Sequence, residues 1–349
     1  MPWMRHLHLP GLLHERCDPV PSVRLQGSHA GSRERVNTVD FRPLGLAVGH
    51  ASDAEGGTGV TVVRHEQNKW RGGVCIVGRA TGTRELNALS PTSLADRVDA
   101  VMLTGGSAYG LDAAAGVMRW MEEHRRGHPM ADFVVPIVPA AVIFDLLPLG
   151  RPDARPSPDM AYAACDSATS VGFREGSVGA GTGATVGKVA GREGAMKGGV
   201  GCWFEEVNGV MVGAVAVVNA FGDVRDGAGN IIAGARTADG SFVDSARALA
   251  HGAPALPGRQ AAGNPSQGQN TTLAVVATNA ALSRSAISEL ASAASAALYR
   301  RITPAGTSYD GDIVFALCQH EGMSVPLVQV EALAVRVLET AIERAVRLA

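Results

Sequence analysis

The 349 residues suffice for one large or two ordinary domains, and only 18% are charged and 5% aromatic, against 43 glycines. So few charges among so many small apolar residues read as a large packed interior, or one extended by subunit contacts. A net charge of −2 without a long basic run excludes nucleic acid as a partner, and no apolar stretch is long enough to span a membrane.

Residues 1–38 hold His6, His8, His14, His29 and several arginines, without the apolar core of a signal peptide, and read as an N-terminal extension. Gly45–His50 and Gly59–Val63 are predicted strands around a polar turn, Ser52 to Thr58; Gly72–Gly78 and Val98–Leu103 are two more. A helix is expected after Thr104-Gly105-Gly106-Ser107, with Ser107 as its N-cap and Leu111, Ala115, Val117, Met118 and Met121 on its apolar side. Phe133–Val138 reads as an edge strand interrupted by Pro136, and Pro158–Val171 as an Ala-rich helix.

Gly176–Lys188 is the most glycine-dense part of the chain. A Walker loop ending at Gly187-Lys188 needs Gly where Thr182 stands and Ser or Thr where Val189 stands. Gly179-x-Gly181-x-x-Ala184 matches a dinucleotide fingerprint in letters, but without a strand before it or a periodic helix after it. These glycines therefore read as sites of close backbone approach. Val200–Phe204 and Val210–Val218 form a predicted hairpin around Asn208-Gly209. An irregular stretch, Arg225 to Asn270, precedes the strand Thr272–Thr278, a helix from Ser283 to Arg300, the strand Asp312–Cys318 and a final amphipathic helix, Val325–Leu348.

Chemistry is narrowed by elimination. Cys17, Cys75, Cys165, Cys202 and Cys318 are scattered without a C-x-x-C pair, so they support neither a disulfide framework nor zinc; they read as buried apolar residues in a reducing, cytoplasmic compartment. His124 and His128 lack the Glu of a zinc-protease helix and stand where Gly127 and Pro129 end it. No metal and no cofactor is expected. Spacing alone leaves a Ser-His-Asp triad open, but no G-x-S-x-G elbow occurs; the nearest approach, Gly105-Gly106-Ser107-Ala108-Tyr109-Gly110, has Tyr109 where the second Gly should be. There remains a Ser or Thr made N-terminal, which uses its own α-amine, of pKa about 8, as base. Asn270-Thr271 stands where the loop Pro254–Gln269 enters a core strand, the position such a nucleophile would need, although Thr is also an ordinary strand opener.

Gly45-Leu-Ala-Val-Gly-His50, Gly57–Val62, Leu103-Thr-Gly-Gly-Ser-Ala-Tyr-Gly-Leu-Asp112, Gly179–Ala184, Val218-Asn-Ala-Phe-Gly222 and Asn270-Thr-Thr-Leu273 occur in one order. Together they resemble the DmpA/β-peptidyl aminopeptidase family of self-cleaving hydrolases, over roughly residues 40 to 320. The resemblance implies an α/β (α+β) fold, a four-layer αββα sandwich of the type shared with ornithine acetyltransferase, formed by residues 39–349 as a single domain. It implies self-cleavage at Asn270–Thr271 into an α chain, 1–270, and a β chain, 271–349, followed by hydrolysis of small amides or short peptides. The nucleophile is then Thr271, the oxyanion donor Asn219, and the orienting pair Ser308 and Asp310, with Asp where better-known members have Glu.

Aminopeptidase members hold the substrate amine with a Glu that Val138–Asp145 lacks; Asp145 is the carboxylate that would replace it, with Ser107 and Tyr109 as further pocket residues. A homo-oligomer, a tetramer of cleaved αβ units, is expected. Two other readings are an acyltransferase of the ornithine acetyltransferase type and a non-enzymatic oligomer that binds small molecules.

Overall fold

A computed structural model describes residues 39–252, apart from 68 and 148, and residues 270–349. The expected N-terminal extension and the loop Pro254–Gln269 lie outside the described residues. The elements that build the site are β1 (Leu46–Asp53), β2 (Thr58–His65), β3 (Arg71–Ile76), β4 (Thr83–Arg84), β5 (Ala100–Thr104), α1 (Ala114–Glu123), β6 (Ala140–Val142) and α2 (Pro158–Asp166). They continue with β7 (Gly199–Val207), β8 (Val210–Asn219), β9 (Thr271–Ala280), α3 (Arg284–Ala294), α4 (Ala296–Arg301), β10 (Ile313–Met323) and α5 (Leu327–Arg347).

The strands form two five-stranded sheets, in the orders β1-β2-β5-β6-β4 and β7-β8-β9-β10-β3. Side-chain alternation assigns the layers. Val215 and Val217 of β8 and Leu273 and Val275 of β9 meet Val48, Val63, Val101 and Leu103 of the first sheet, so the sheets pack face to face. Ala216, Val218, Ala274 and Val276 point the other way, onto Ile287, Leu290, Leu333 and Val337 of α3 and α5. On the far side, Val60, Val62 and Met102 receive Val117, Met121 and Ala161 of α1 and α2. The order is helix, sheet, sheet, helix, the sandwich expected from the sequence. β9 is covered on both faces, which is why it reads as an unbroken apolar run with small side chains.

The hairpin joins β7 to β8 at Asn208 and Gly209, both at positive φ, as a two-residue turn of this hand demands. Four local expectations are corrected. Ser107 has a φ of 53° and caps nothing; the chain passes through a 3-10 turn, Ser107–Ala113, before α1 begins. Only Val134–Val135 of the expected edge strand pairs, with His128–Pro129. α2 stops at Asp166, because Thr169 leaves the helix to bridge Val48 of β1. The helix capped by Ser283 breaks at Ser295 into α3 and α4.

Candidate active site

Three strand ends converge on Thr271. β8 and β9 are antiparallel with Asn219 opposite Thr271, and β9 and β10 are parallel with Leu273 beside Ile313. Three residues earlier in the same register, Asn270 bridges Asp310. The C-terminal end of β8 and the N-terminal ends of β9 and β10 thus meet, and such a junction leaves main-chain groups for a site to use. Thr271 and Asn219 are both buried and share the face of the sheet that looks toward the first sheet.

Two donors reach the carbonyl oxygen between Asn270 and Thr271. Thr271 Oγ1 donates to it at 2.6 Å and the Gly311 N–H at 2.8 Å. The hydroxyl therefore lies against its own preceding peptide bond, and an N–H already stands where negative charge would form if that carbonyl were attacked. A side chain at Gly311 would force its neighbours to shift. A Cβ there would overlap the Ala80 carbonyl and come within 2.8 Å of Thr271 Oγ1.

The glycine-rich loop supplies a residue that reading the sequence missed. Lys188 Nζ donates to Asn219 Oδ1 at 2.9 Å, to Asn219 O at 3.0 Å and to Ala220 O at 3.3 Å. Its backbone N–H bonds the Phe221 carbonyl at 2.9 Å, so the loop is pinned along the end of β8. Gly187 makes this approach possible, with a φ of +71° and no room for a Cβ beside Ala235 N. Burial pushes the Lys188 amine down to about 7, against the pull of Asp310 and Asp312. Asn219 Oδ1 also accepts from Thr185 N at 3.0 Å, while Nδ2 donates to the Phe144 carbonyl at 3.1 Å, which fixes the amide's orientation.

Beside Thr271 the turn before β10 carries two carboxylates. Asp310 accepts from Thr307 N at 2.9 Å and Thr307 Oγ1 at 2.7 Å, and burial raises its pKa. Asp312 accepts from Thr272 N at 2.6 Å and Gly306 N at 3.1 Å; burial and then the charge of Asp310 push it up to about 7. Ser308, expected to partner Asp310, is instead exposed in the turn. The side chain that stands beside Asp310 is the carboxylate of Asp312, which reading the sequence left as the opening of a strand. Its signal was the spacing Asp310-Gly311-Asp312, small-residue-centred and directly beside a strand neighbouring Thr271.

The expected pocket residues are placed differently. Asp145 is fully buried, with Oδ2 accepting from Thr58 Oγ1 at 2.7 Å and Oδ1 from Gly106 N at 2.7 Å; burial pushes its pKa up to about 6. Its carboxylate ties the turns at 105–106 and 144–145 together, one residue from the Phe144 carbonyl that orients Asn219, so it does not offer itself to a substrate amine. Ser107 is half-buried, its N–H on the Ile143 carbonyl at 3.0 Å. Tyr109 is exposed, with the Arg155 guanidinium 3.5 Å above its ring. Among the described residues no group of three His, Cys, Asp or Glu side chains gathers as a metal site, and no helix is long and apolar enough to cross a membrane.

The four-layer sandwich, which presents a hydroxyl at a strand start beside an Asn, a Lys and two carboxylates, has the N-terminal-nucleophile type of hydrolase fold. The description of peptidase family S58 matches residues 44–349, and the chain belongs to that family. It is 45% identical over 287 residues to an uncharacterized aminopeptidase of Mycobacterium bovis, covering 78% of this chain and 79% of the relative. It is 31% identical over 293 residues to the 6-aminohexanoate-oligomer endohydrolase of Kocuria sp., covering 81% and 76%. The L-aminopeptidase D-Ala-esterase/amidase of Ochrobactrum anthropi, described as a variant of the Ntn hydrolase fold, superposes with a TM-score of 0.64 at 21% identity, over 88% of this chain and 85% of that one. The protein is a hydrolase acting on amide or peptide bonds.

Proposed function

We propose that the chain cuts itself between Asn270 and Thr271 and that Thr271, then N-terminal, is the nucleophile that hydrolyses small amides or short peptides. The carrying observation is the pair of donors, Thr271 Oγ1 and the Gly311 N–H, on the Asn270 carbonyl oxygen. In self-cleavage Oγ1 attacks the Asn270 carbonyl carbon, the C–N bond to Thr271 breaks, and the acyl group passes to Oγ1 as an ester that water then hydrolyses. Gly311 N–H stabilises the oxyanion, as donors placed at a developing charge do. Lys188, whose amine burial depresses to about 7, takes the hydroxyl proton once it loses its own proton and gives up one of its three hydrogen bonds, and returns it to the departing nitrogen. Asn219 holds Lys188 in place through its Oδ1, and Asp312 fixes the start of β9 through Thr272 N.

After cleavage the freed α-amine of Thr271 serves as base for substrate turnover. The engagement of Asp145 with Thr58 and Gly106 supports a substrate that needs no free ammonium group, an amidase or endo-acting peptidase, in keeping with the Kocuria relative's name. Four free described cysteines accord with a reducing cytoplasm. The functional unit is proposed as a homo-oligomer, a tetramer of cleaved αβ units. A panel of paired amides, one with a free amine and one acetylated, tests the substrate reading: hydrolysis of the acetylated member is expected, and strict dependence on the free amine would overturn it.

A further inference from the structure

The intact chain holds its own first substrate. Resting on the self-cleavage reading above, we infer that the position now filled by the Asn270 side chain is the acyl subsite of the mature enzyme, and that it selects acyl groups bearing an N–H donor at the γ position. The two acyl-enzymes are chemically homologous. In self-cleavage the acyl carbon of Asn270 passes to Thr271 Oγ1; in turnover the acyl carbon of the substrate does the same, on the same oxygen. With the carbonyl oxygen of each held by the Gly311 N–H, the substituent on the substrate's acyl carbon takes the place of the Asn270 side chain.

That place is defined. Asn270 is fully buried and bridges Asp310 in parallel register, so the acyl residue lies along the 309–311 segment as an added stretch of strand. Its Nδ2 donates to the Tyr309 carbonyl at 3.3 Å, whereas its Oδ1 is buried without a hydrogen-bond partner among the described residues. The subsite therefore matches the amide's donor and leaves its acceptor unmatched. A γ-methyl in place of the amide nitrogen would leave the Tyr309 carbonyl unpaired; a carboxylate would set one acceptor against another. An N-acylated 4-aminobutanoyl group puts its N–H at the same distance along the chain as Nδ2 and carries no unmatched γ-oxygen. Asparaginyl and 4-aminobutanoyl amides are thus the favoured acyl groups, and leucyl and aspartyl amides of similar size are disfavoured.

The test compares kcat/KM of the purified, cleaved enzyme on the 4-nitroanilides of N-acetyl-asparagine, N-acetyl-4-aminobutanoate, N-acetyl-leucine and N-acetyl-aspartate. The first two are expected to exceed the leucine compound by about tenfold, the usual effect of one unpaired buried acceptor, with aspartate lowest. A cleaved enzyme that hydrolyses the leucine compound as well as the first two, or hydrolyses none of the four, overturns the subsite and leaves self-cleavage standing. A chain that never cleaves fails at the earlier reading instead. The intramolecular counterpart is Asn270→Leu, expected to slow self-cleavage about tenfold while Asn270→Gln, which keeps an N–H donor, loses less. Equal rates in both variants and the wild type would count against the subsite.

Discussion

Substituting Gly311→Ala isolates the main-chain donor on which the proposed chemistry depends. The new methyl would overlap the Ala80 carbonyl and stand 2.8 Å from Thr271 Oγ1, closer than a methyl and a hydroxyl oxygen tolerate. Relief moves either the 78–80 segment, whose N–H groups at Arg79 and Ala80 bond the Asp310 carbonyl at 2.8 and 3.0 Å, or the Thr271 hydroxyl itself. Either movement pulls the Gly311 N–H off the Asn270 carbonyl. Losing one oxyanion donor costs about 2.7–4 kcal/mol, or about a hundred- to a thousandfold in rate. Overpacking at a tight site costs the fold about 1–3 kcal/mol in addition. The assay follows conversion of the full-length chain to two fragments by denaturing electrophoresis after synthesis in a cell-free system, with circular dichroism to confirm folding. Gly227→Ala is the control, since a Cβ there meets only the Arg301 guanidinium at 3.4 Å. Self-cleavage of a folded Gly311→Ala variant at the wild-type rate would refute the assignment of this N–H.

Three further outcomes are expected. Because burial depresses Lys188 from an ordinary 10.5 to about 7, its neutral form grows as pH rises through 7, so self-cleavage should accelerate over that range. Lys188→Arg, which cannot release a proton, should remove the acceleration, and a variant that keeps it assigns the base elsewhere. Ser308→Ala should change stability by no more than about 0.5 kcal/mol and leave cleavage intact, the behaviour of an exposed turn residue, whereas Asp310→Ala loses two hydrogen bonds to a buried carboxylate and should cost about 2–3 kcal/mol in chemical denaturation. Asp145→Asn should lower stability, through its bonds to Thr58 and Gly106, without raising KM selectively for free-amine substrates; a selective rise would restore Asp145 as an amine anchor.

The four-layer sandwich was legible only through the resemblance, and single elements were legible where a short stretch decides its own conformation. Asn208-Gly209 fixes a hairpin by backbone chirality, and the apolar run from Thr272 can only be a covered strand. Pairings that depend on distant partners were not readable: β3 joins the second sheet through β10, which lies some two hundred and forty residues later, and nothing in Arg71–Ile76 distinguishes the two sheets. The site divides the same way. Thr271 and Asn219 stand at strand ends and carry a resemblance, so each could be singled out, and the ladder sets them opposite one another. Lys188 was tested as part of a phosphate loop and set aside; its contact with Asn219 depends on the loop folding back onto the end of β8, which no spacing encodes. Asp312 looked like a strand opener and Gly311 was not singled out, because what each does lies across the ladder, at Thr272 and Asn270. Ser308 and Asp145 are the opposite case, one exposed and one bonded to Thr58, since sequence proximity to a motif says nothing of whether a side chain is solvated or already engaged.

The central claim is that Asn270–Thr271 is cut by the chain itself and that Thr271 does the cutting. Intact mass measurement with N-terminal sequencing of the purified wild type and of Thr271→Ala tests it most directly. The wild type is expected to give a fragment beginning at Thr271, and Thr271→Ala a single uncut chain without amidase activity. A wild type that stays whole while hydrolysing amides, or a Thr271→Ala chain cut at the same bond, would contradict the account.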